Sequence, residues 1–300
     1  MLETLQVAAQ GAGQIGVVLL IGAAWALAVL GPGLSAAEVW RRRLTILASL
    51  AWLAVLVGSL GSLPLTLQRV LGRWDLQLVR TFASNTAQGE AVLQRCAAAT
   101  LVLALMLLAL WLARTRPRLL AAAALVAGIW LIDTLSRLAH GAVMEGGLYR
   151  ALDVVHLLVA GVWGGGLVAL ALWKWRTTRP EFDSAVKTAL RRHSSTGLLG
   201  VLTLAASGVI AAQAQLPNTA SLTTTSYGLA LVLKLALVAA TLAVAAYNRW
   251  RLLPRLVATD ADLASKSRLA SALRIEALLL MLVLIATALL TTRPPPHDMF

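Results

Sequence analysis

The sequence predicts an all-α protein, a polytopic membrane helical bundle with about eight transmembrane helices, and three observations support this class. Hydrophobic residues make up 59% of the 300 positions, and charged residues make up 13%. The apolar runs repeatedly reach the roughly 20 residues that an α-helix needs to cross the hydrocarbon core. These runs are continuous rather than alternating, which favours helices over a β-barrel.

Eight apolar runs separated by polar or basic turns define the spans of a single membrane domain. Glu3 stands where a signal peptide would have a basic region, so we expect the first run to be retained. Residues 1–117 form the N-terminal half, residues 118–291 the C-terminal helices, and residues 292–300 a proline-rich external tail. The predicted spans are residues 12–31, 44–63, 90–113, 118–140, 150–172, 190–213, 228–248 and 270–291.

The net charge of +13 reflects the orientation of the chain in the membrane rather than a nucleic-acid partner. Of the 26 Lys and Arg residues, 18 lie on one side of the predicted bundle. By the positive-inside rule that side is cytoplasmic, so both termini are expected outside and the lipid bilayer is the expected partner. The single cysteine, Cys96, excludes an intramolecular disulfide and a thiolate cluster, so metal ligands would be imidazole, carboxylate or thioether groups.

Two further features follow from the order of the spans. In residues 65–82, after the second span, apolar and charged residues recur at helical spacing, which predicts an amphipathic segment on the outer surface. The pattern T-x2-G-x5-[KR] occurs at Thr86 to Arg95 and again at Thr225 to Lys234, 139 residues later. With four spans in each half, this echo predicts a parallel 4+4 repeat.

The fifth span carries the residues that most strongly indicate a functional site. Asp153, His156 and Trp163 share one helix face, and three glycines, residues 164–166, follow. An acid and an imidazole are costly when exposed to lipid, so this face should turn towards the protein or a wet cavity. The glycines would let a neighbouring backbone come close. We interpret Trp163 as lining or gating a path inward, with ordinary packing as the alternative.

The fourth span ends in a second polar group. Asp133, Arg137 and His140 share one face, and we interpret the first two as a structural ion pair. A loop of about nine residues follows, so the fourth and fifth spans should be antiparallel neighbours. That arrangement would bring His140 close to Asp153 and His156.

Charged residues in other spans are interpreted as structural. We expect Arg95 and Lys234 to extend outward or to neutralise Glu90 and Asp153, with repulsion of cations as the alternative. His193 follows two arginines at the inner interface, which suggests a solvated face, with a metal exit site as the alternative.

Several motifs over residues 138–254 resemble the CopD copper-resistance family of bacterial inner-membrane proteins. They are DVVHLLVAGVWGGGL from Asp153, SGVIAAQAQL from Ser207, TSYGLALVLK from Thr225 and YNRWRLLP from Tyr247. The pair Ala139-His140 and the sequence EFDSA after the fifth span depart from the family pattern. The resemblance implies a multi-pass protein of the bacterial inner membrane that is not an enzyme and that moves copper from periplasm to cytoplasm. It also implies a periplasmic copper-binding protein as a partner.

With that resemblance, the polar face of the fifth span becomes a candidate copper site of undefined oxidation state. Imidazole and carboxylate groups suit copper, and an acid often fixes the orientation of a ligating histidine. We therefore expect His140 and His156 as ligands, Asp153 as a ligand or as the partner of a ligand, and Met144 as a soft ligand for Cu(I). The alternative is a structural hydrogen-bonded pair of Asp153 and His156.

Two other functions remain open at this point. A redox protein would hold haem between histidines of facing helices at matched depth, which the predicted positions do not offer. A scaffold or sensor would bind copper and deliver it to a partner without transporting it.

Overall fold

The computed structural model describes residues 2–30, 38–112, 117–137, 147–172, 180–216, 218–258, 263–291 and 293. Within these ranges the chain is helical and contains no strand. Eight of its helices are long and apolar enough to cross a membrane. The predicted all-α polytopic bundle and its number of spans are therefore confirmed.

Three spans combine an α-helix with a short π-helical segment. These segments are Ala26–Leu30 in the first span, Gly161–Gly165 in the fifth and Asn248–Leu252 in the seventh. The α-helices are α1 Leu2–Trp25, α2 Glu38–Leu71, α3 Leu76–Asn85, α4 Ala87–Trp111, α5 Pro117–Ser136, α6 Gly147–Ala160, α7 Gly166–Ala171, α8 Pro180–Gln215, α9 Ser221–Thr224, α10 Ser226–Tyr247, α11 Leu253–Ala258 and α12 Leu263–Thr291.

Most helices continue beyond the apolar runs that predicted them. α2 begins at Glu38, ahead of the predicted start at residue 44, and so includes three arginines. α8 begins at Pro180, ahead of the predicted start at residue 190, so the charged residues 180–189 and the sixth span form one continuous helix. Hydropathy marks where a helix enters hydrocarbon, whereas the backbone hydrogen bonds continue into the interface, where long basic side chains reach water.

The predicted amphipathic segment, residues 65–82, is divided between two helices. α2 passes through Pro64 and ends at Leu71, and Gly72 follows with a φ of 70°, a conformation that favours glycine. Asp75 then caps α3 by accepting a hydrogen bond from the Leu78 amide at 2.8 Å. α3 buries none of its residues and packs against α2 and α4. Only this short helix forms the predicted surface segment.

α1 lies at the centre of the bundle. Of its most apolar stretch 72% is buried, against 17% in the sixth and seventh spans. It packs against α2, α5, α12 and the π segment of the fifth span. A Cβ placed on Gly22 would lie 2.1 Å from Gly165 Cα, so the two backbones approach as closely as only glycine permits. This contact confirms that the glycines of the fifth span admit a neighbouring backbone, and the neighbour is α1.

The two copies of the sequence echo share their local structure. Thr86 and Thr225 are both extended, and each side chain accepts a hydrogen bond at 3.0 Å from the amide of the glycine three residues later. Each hydroxyl also donates to the carbonyl four residues earlier, at 2.7 Å. α4 and α10 thus begin in the same way after a short helix, which supports the predicted parallel repeat.

The start of α1 lies beside the end of α12. Gln14 Nε2 donates to Thr291 Oγ1 at 3.3 Å, and a Cβ on Gly11 would lie 2.8 Å from Ala288 Cβ. The first span therefore begins on the face of the bundle where the eighth span ends. We call this the outer face, in accordance with the positive-inside orientation, which stays a prediction.

Candidate metal centre

His156 lies on α6 and is held by Ser207 of α8. Its Nδ1 atom is 2.8 Å from Ser207 Oγ, which is also 2.7 Å from the Thr203 carbonyl oxygen. A hydroxyl has one proton, and we assign it to the Thr203 carbonyl, the usual acceptor for a helical serine, so that Ser207 Oγ accepts from His156 Nδ1–H. The lone pair of the neutral imidazole is then on Nε2. A histidine whose Nδ1 donates to a fixed acceptor presents Nε2 in the form that ligates metals.

Asp153 lies one turn before His156 and contacts a different helix. Its carboxylate is within hydrogen-bonding reach of Ser136, at the end of α5, and it interacts electrostatically with Lys234 of α10. The partner that orients His156 is thus Ser207 rather than Asp153. The direct pairing of Asp153 and His156, weighed above as the alternative to a metal site, is not observed.

The two basic residues of the sequence echo have different surroundings. Lys234 interacts electrostatically with both Asp153 and His156, as predicted for the acid. Arg95 does not pair with Glu90, because its guanidinium donates to the Thr134 hydroxyl at 3.3 Å and to the Thr134 carbonyl at 2.9 Å. Glu90 instead accepts from Gln94 at 2.8 Å.

The other predicted ligands, His140 and Met144, lie outside the described residues, so the convergence of His140 with His156 stays a prediction. His297 and Met299 of the tail also lie outside them. Among the residues that the structure does describe, no three His, Cys, Asp or Glu side chains lie close enough together to hold a metal ion. A complete site around His156 would therefore need donors from residues 138–146 or from another molecule.

The predicted ion pair of the fourth span is confirmed and is larger than expected. Arg137 lies 2.8 Å from Asp133, and Arg150 at the start of α6 donates to the same carboxylate. Arg137 also donates to Gln94 of α4 at 2.9 Å. This network joins α4, α5 and α6 at the outer face, and it fixes the start of the helix that carries His156.

Trp163 also faces α8. A Cβ placed on Gly197 would lie 3.1 Å from the Trp163 indole nitrogen, and one placed on Gly200 would lie 3.1 Å from Val159 Cγ1. Gly197 makes room for the indole ring, and Gly200, one turn later, makes room for Val159. We call the interface between the fifth span and α8 the histidine seam: from the outer to the inner face, His156 meets Ser207, Trp163 meets Gly197, and Gly166 meets His193.

His193 lies at the inner end of the histidine seam, and its interpretation as part of a solvated face is wrong. It is 6% exposed and makes an edge contact with the Trp25 ring, with centroids 5.7 Å apart. Neither of its ring nitrogens has a hydrogen-bond partner within the described chain. The arginines before it are exposed, whereas His193 itself turns towards α1 and Gly166. Adjacent residues on a helix face different directions, so basic neighbours do not predict the exposure of a histidine.

The two histidines of the seam are too far apart to share one metal or one haem. Ser207, which contacts His156, and His193 are separated on α8 by 14 residues, about 21 Å at 1.5 Å per residue. Histidines that ligate a single haem must face each other at one depth. His156 and His193 are therefore not a haem-ligand pair.

Sequence reasoning did not identify Ser207 and Ser136 as the partners of His156 and Asp153. Both serines are buried, and both lie on helices other than the one that carries the candidate site. For Ser207 a signal existed. Gly197, Gly200 and Gly208 place small residues along one part of α8, a pattern typical of a close helix contact. For Ser136 there was none beyond the predicted proximity of the fourth and fifth spans.

Comparison with known proteins supports the resemblance over part of the chain. Residues 187–290 match the family CopD, copper resistance protein D. No curated protein and no solved structure matches the chain. The matched segment contains His193, Ser207 and Lys234, whereas Asp153 and His156 precede it. The chain is thus a multi-pass membrane protein whose residues 187–290 are similar to the family of copper resistance protein D.

Proposed function

We propose that this protein transports copper across the bacterial inner membrane, from periplasm to cytoplasm, and that His156 receives the ion near the outer face. The family match supports a role with copper. The observation that carries the proposal is the contact of His156 with Ser207, because in the assigned tautomer Nε2 has the lone pair that a metal ion binds. An ionisable side chain inside a membrane span is costly, and such residues commonly mark functional sites.

The remaining ligands of this entry site would come from residues 138–146, from Asp153 and from water molecules bound to the ion. His140 and Met144 belong to the short connection before α6, and Asp153 lies one turn from His156. Imidazole, thioether and carboxylate groups together accommodate both oxidation states of copper. Lys234 places a positive charge beside this group, which weakens cation binding and so favours release over storage.

The histidine seam offers a route from the entry site inward. Below His156 it continues past Trp163 to His193, whose two ring nitrogens are buried without partners. An unpaired buried imidazole has no hydrogen bond to give up, so its nitrogen is available as a ligand for a passing cation. We propose His193 as the inner station of the route, about 21 Å from the entry site.

The test is copper binding and uptake by the full-length protein reconstituted in liposomes, with Cu(I) and Cu(II) supplied separately. We expect His156→Ala to abolish binding at the entry site and to remove uptake. Ser207→Ala keeps the His156 imidazole but removes the hydrogen bond that holds it in one tautomer, so copper affinity should fall by about tenfold. Gln14→Ala is the matched control, since it changes a polar residue near the outer face of the first span.

Three outcomes would contradict the proposal. Unchanged binding and uptake in His156→Ala would remove the entry site. Binding through His156 without uptake would indicate a scaffold that delivers copper to a partner. A Soret band in the purified protein would indicate a haem protein.

A further inference from the structure

A second buried polar pair lies in the inner half of the bundle, away from the histidine seam. Glu276 of α12 is 4% exposed, and Asn248, the first residue of the π segment in the seventh span, is 6% exposed. Asn248 Nδ2 donates to Glu276 Oε2 at 2.6 Å. Asn248 Oδ1 is buried and has no hydrogen-bond partner within the described residues. Both residues lie inside candidate membrane spans.

No basic side chain of the described chain balances Glu276. The ion pairs found within the described ranges both involve Asp133. On the segments that pack against α12, the Arg249 guanidinium donates to Ser194, and Arg251 and Arg255 are exposed. α7 has no charged residue, and α1 has only Glu3, near its outer end.

The remaining charged groups lie elsewhere. Lys234 precedes Asn248 by 14 residues, about 21 Å along the helix. On α12 itself, Arg268 and Arg274 are exposed, and Lys266 lies more than two turns before Glu276. Among the described residues, the hydrogen-bond partner of Glu276 is therefore the amide of Asn248, and no basic side chain pairs with it.

A buried carboxylate without a basic partner is stabilised by a bound cation. Removing an unpaired charge from water costs several kcal/mol, and a proton or a metal ion removes that cost. A metal ion would need several further oxygen donors, and no cluster of three acidic, His or Cys groups occurs within the described residues. The proton is the cation that this site fits.

The amide of Asn248 is able to serve both states of the carboxyl group. When Glu276 is ionised, Asn248 Nδ2 donates to it, as the structure shows. When Glu276 binds a proton, its O–H becomes a donor, and Asn248 Oδ1, now without a partner, becomes its acceptor once the amide turns. Asn248 begins a π-helical segment, a local departure from α-helical geometry that is frequent at functional sites.

We propose that Glu276 is a proton-binding site within the membrane and that Asn248 is its positioning residue. The carboxylate binds one proton to form the neutral acid and releases it to restore the ion, with no other bond changed. Where the protein transports copper, this proton exchange accompanies the copper cycle. This coupling of proton exchange to copper transport rests on the proposed function, whereas the proton site itself does not.

The direct test is infrared difference spectroscopy of the reconstituted full-length protein between acidic and alkaline pH. Wild type should show a carboxylic C=O band at acidic pH that Glu276→Gln lacks. Glu90→Gln is the matched control, since Glu90 is exposed near the outer face and its loss should leave this band unchanged. Asn248→Ala should keep the band but shift its frequency, because the Glu276 carboxyl group loses its hydrogen bond with the Asn248 amide.

A band that survives in Glu276→Gln would overturn the assignment of the site, and an unshifted band in Asn248→Ala would overturn the role of Asn248. If Glu276→Gln does not fold, Glu276→Asp retains a carboxyl group and should show the band with a shifted titration midpoint; an unshifted midpoint would count against the site. Copper uptake at several pH values distinguishes the two proposals. A titrating band without any uptake supports the proton site and contradicts copper transport, whereas uptake whose pH dependence persists in Glu276→Gln contradicts the coupling.

Discussion

The two halves of this protein share a scaffold but differ in their polar chemistry. In both, an extended threonine caps the helix of the third membrane span of that half, which is α4 in the first half and α10 in the second. A glycine three residues later packs against the preceding short helix. In both, a basic residue follows at the same offset. Arg95 is satisfied by the hydroxyl and carbonyl of Thr134, whereas Lys234 faces Asp153 and His156. The geometry is therefore common to both halves, and the candidate site belongs to one.

The same offset of 139 residues extends this comparison to the first and fifth spans. It places Gln14 and Val17 opposite Asp153 and His156. Gln14 donates to Thr291 in the eighth span, and Asp153 lies within reach of Ser136 in the fourth, and these are equivalent neighbours in a parallel repeat. Val17 is 1% exposed and packs in the core. The comparison indicates that these positions support the bundle in the first half and provide the ionisable groups of the candidate site in the second.

The largest expected effect is a loss of stability when the two equivalent glycines of the shared scaffold are changed to alanine. A Cβ on Gly89 would lie 2.3 Å from the Phe82 carbonyl oxygen, and a Cβ on Gly228 would lie 2.1 Å from the Ser221 carbonyl oxygen. Gly89→Ala and Gly228→Ala should each lower the free energy of unfolding by about 3 kcal/mol, since backbone atoms must move. Denaturation of the purified protein in mixed micelles measures this free energy.

Gly61→Ala is the control for these two variants. Gly61 lies within α2 with no atom within 4 Å of its added Cβ, so alanine should stabilise the helix by up to about 1 kcal/mol. A large loss in one half and none in the other would show that the two helix starts are not equivalent.

The next effect tests where the halves differ. Lys234→Met removes a positive charge beside His156 and should tighten copper binding by up to about tenfold, or about 1.4 kcal/mol. Arg95→Met, the equivalent change in the first half, should leave copper affinity unchanged and lower stability, because Thr134 loses its donor. Titration calorimetry with both variants measures the difference. Equal changes in affinity would show that charge anywhere in the bundle, rather than beside His156, controls binding.

The smallest effect concerns the helix caps. Thr86→Ala and Thr225→Ala each remove a hydroxyl that accepts from a helical amide at 3.0 Å, so each should cost about 1 kcal/mol of stability. Thr→Ser at the same positions keeps the oxygen and should recover most of the loss. The same denaturation measurement applies, and a serine variant as unstable as the alanine variant would mean that the methyl group, not the cap, matters.

The spans were predictable because hydrophobic length is a local property of the chain. The apolar runs around α1, α4 and α10 exceed what a soluble helix needs, so eight crossings followed directly. The predicted helix ends were less accurate, because a helix continues from the hydrocarbon core into the membrane–water interface without a change in its backbone hydrogen bonds. The start of α2 at Glu38 and the continuous α8 from Pro180 are examples.

The site was predictable only in part, because side-chain partners come from helices distant in sequence. Asp153 and His156 stood out as ionisable residues in an apolar run. Their partners, Ser136 and Ser207, depend on which helices pack together and in which rotation, which a single span does not encode. The burial of His193 and the pairing of Glu276 with Asn248 were missed for the same reason.

The crossing of Gly22 with Gly165 has a consequence for how the halves could move. At Gly22 and Gly165 the first and fifth spans meet through main chain, while the Ile21 side chain lies against Gly161 and the Trp25 ring lies against Gly166. A change in the angle between these two helices would therefore move the side chains of Ile21 and Trp25. The Trp25 ring also contacts His193, so such a change would be felt directly at the inner end of the histidine seam.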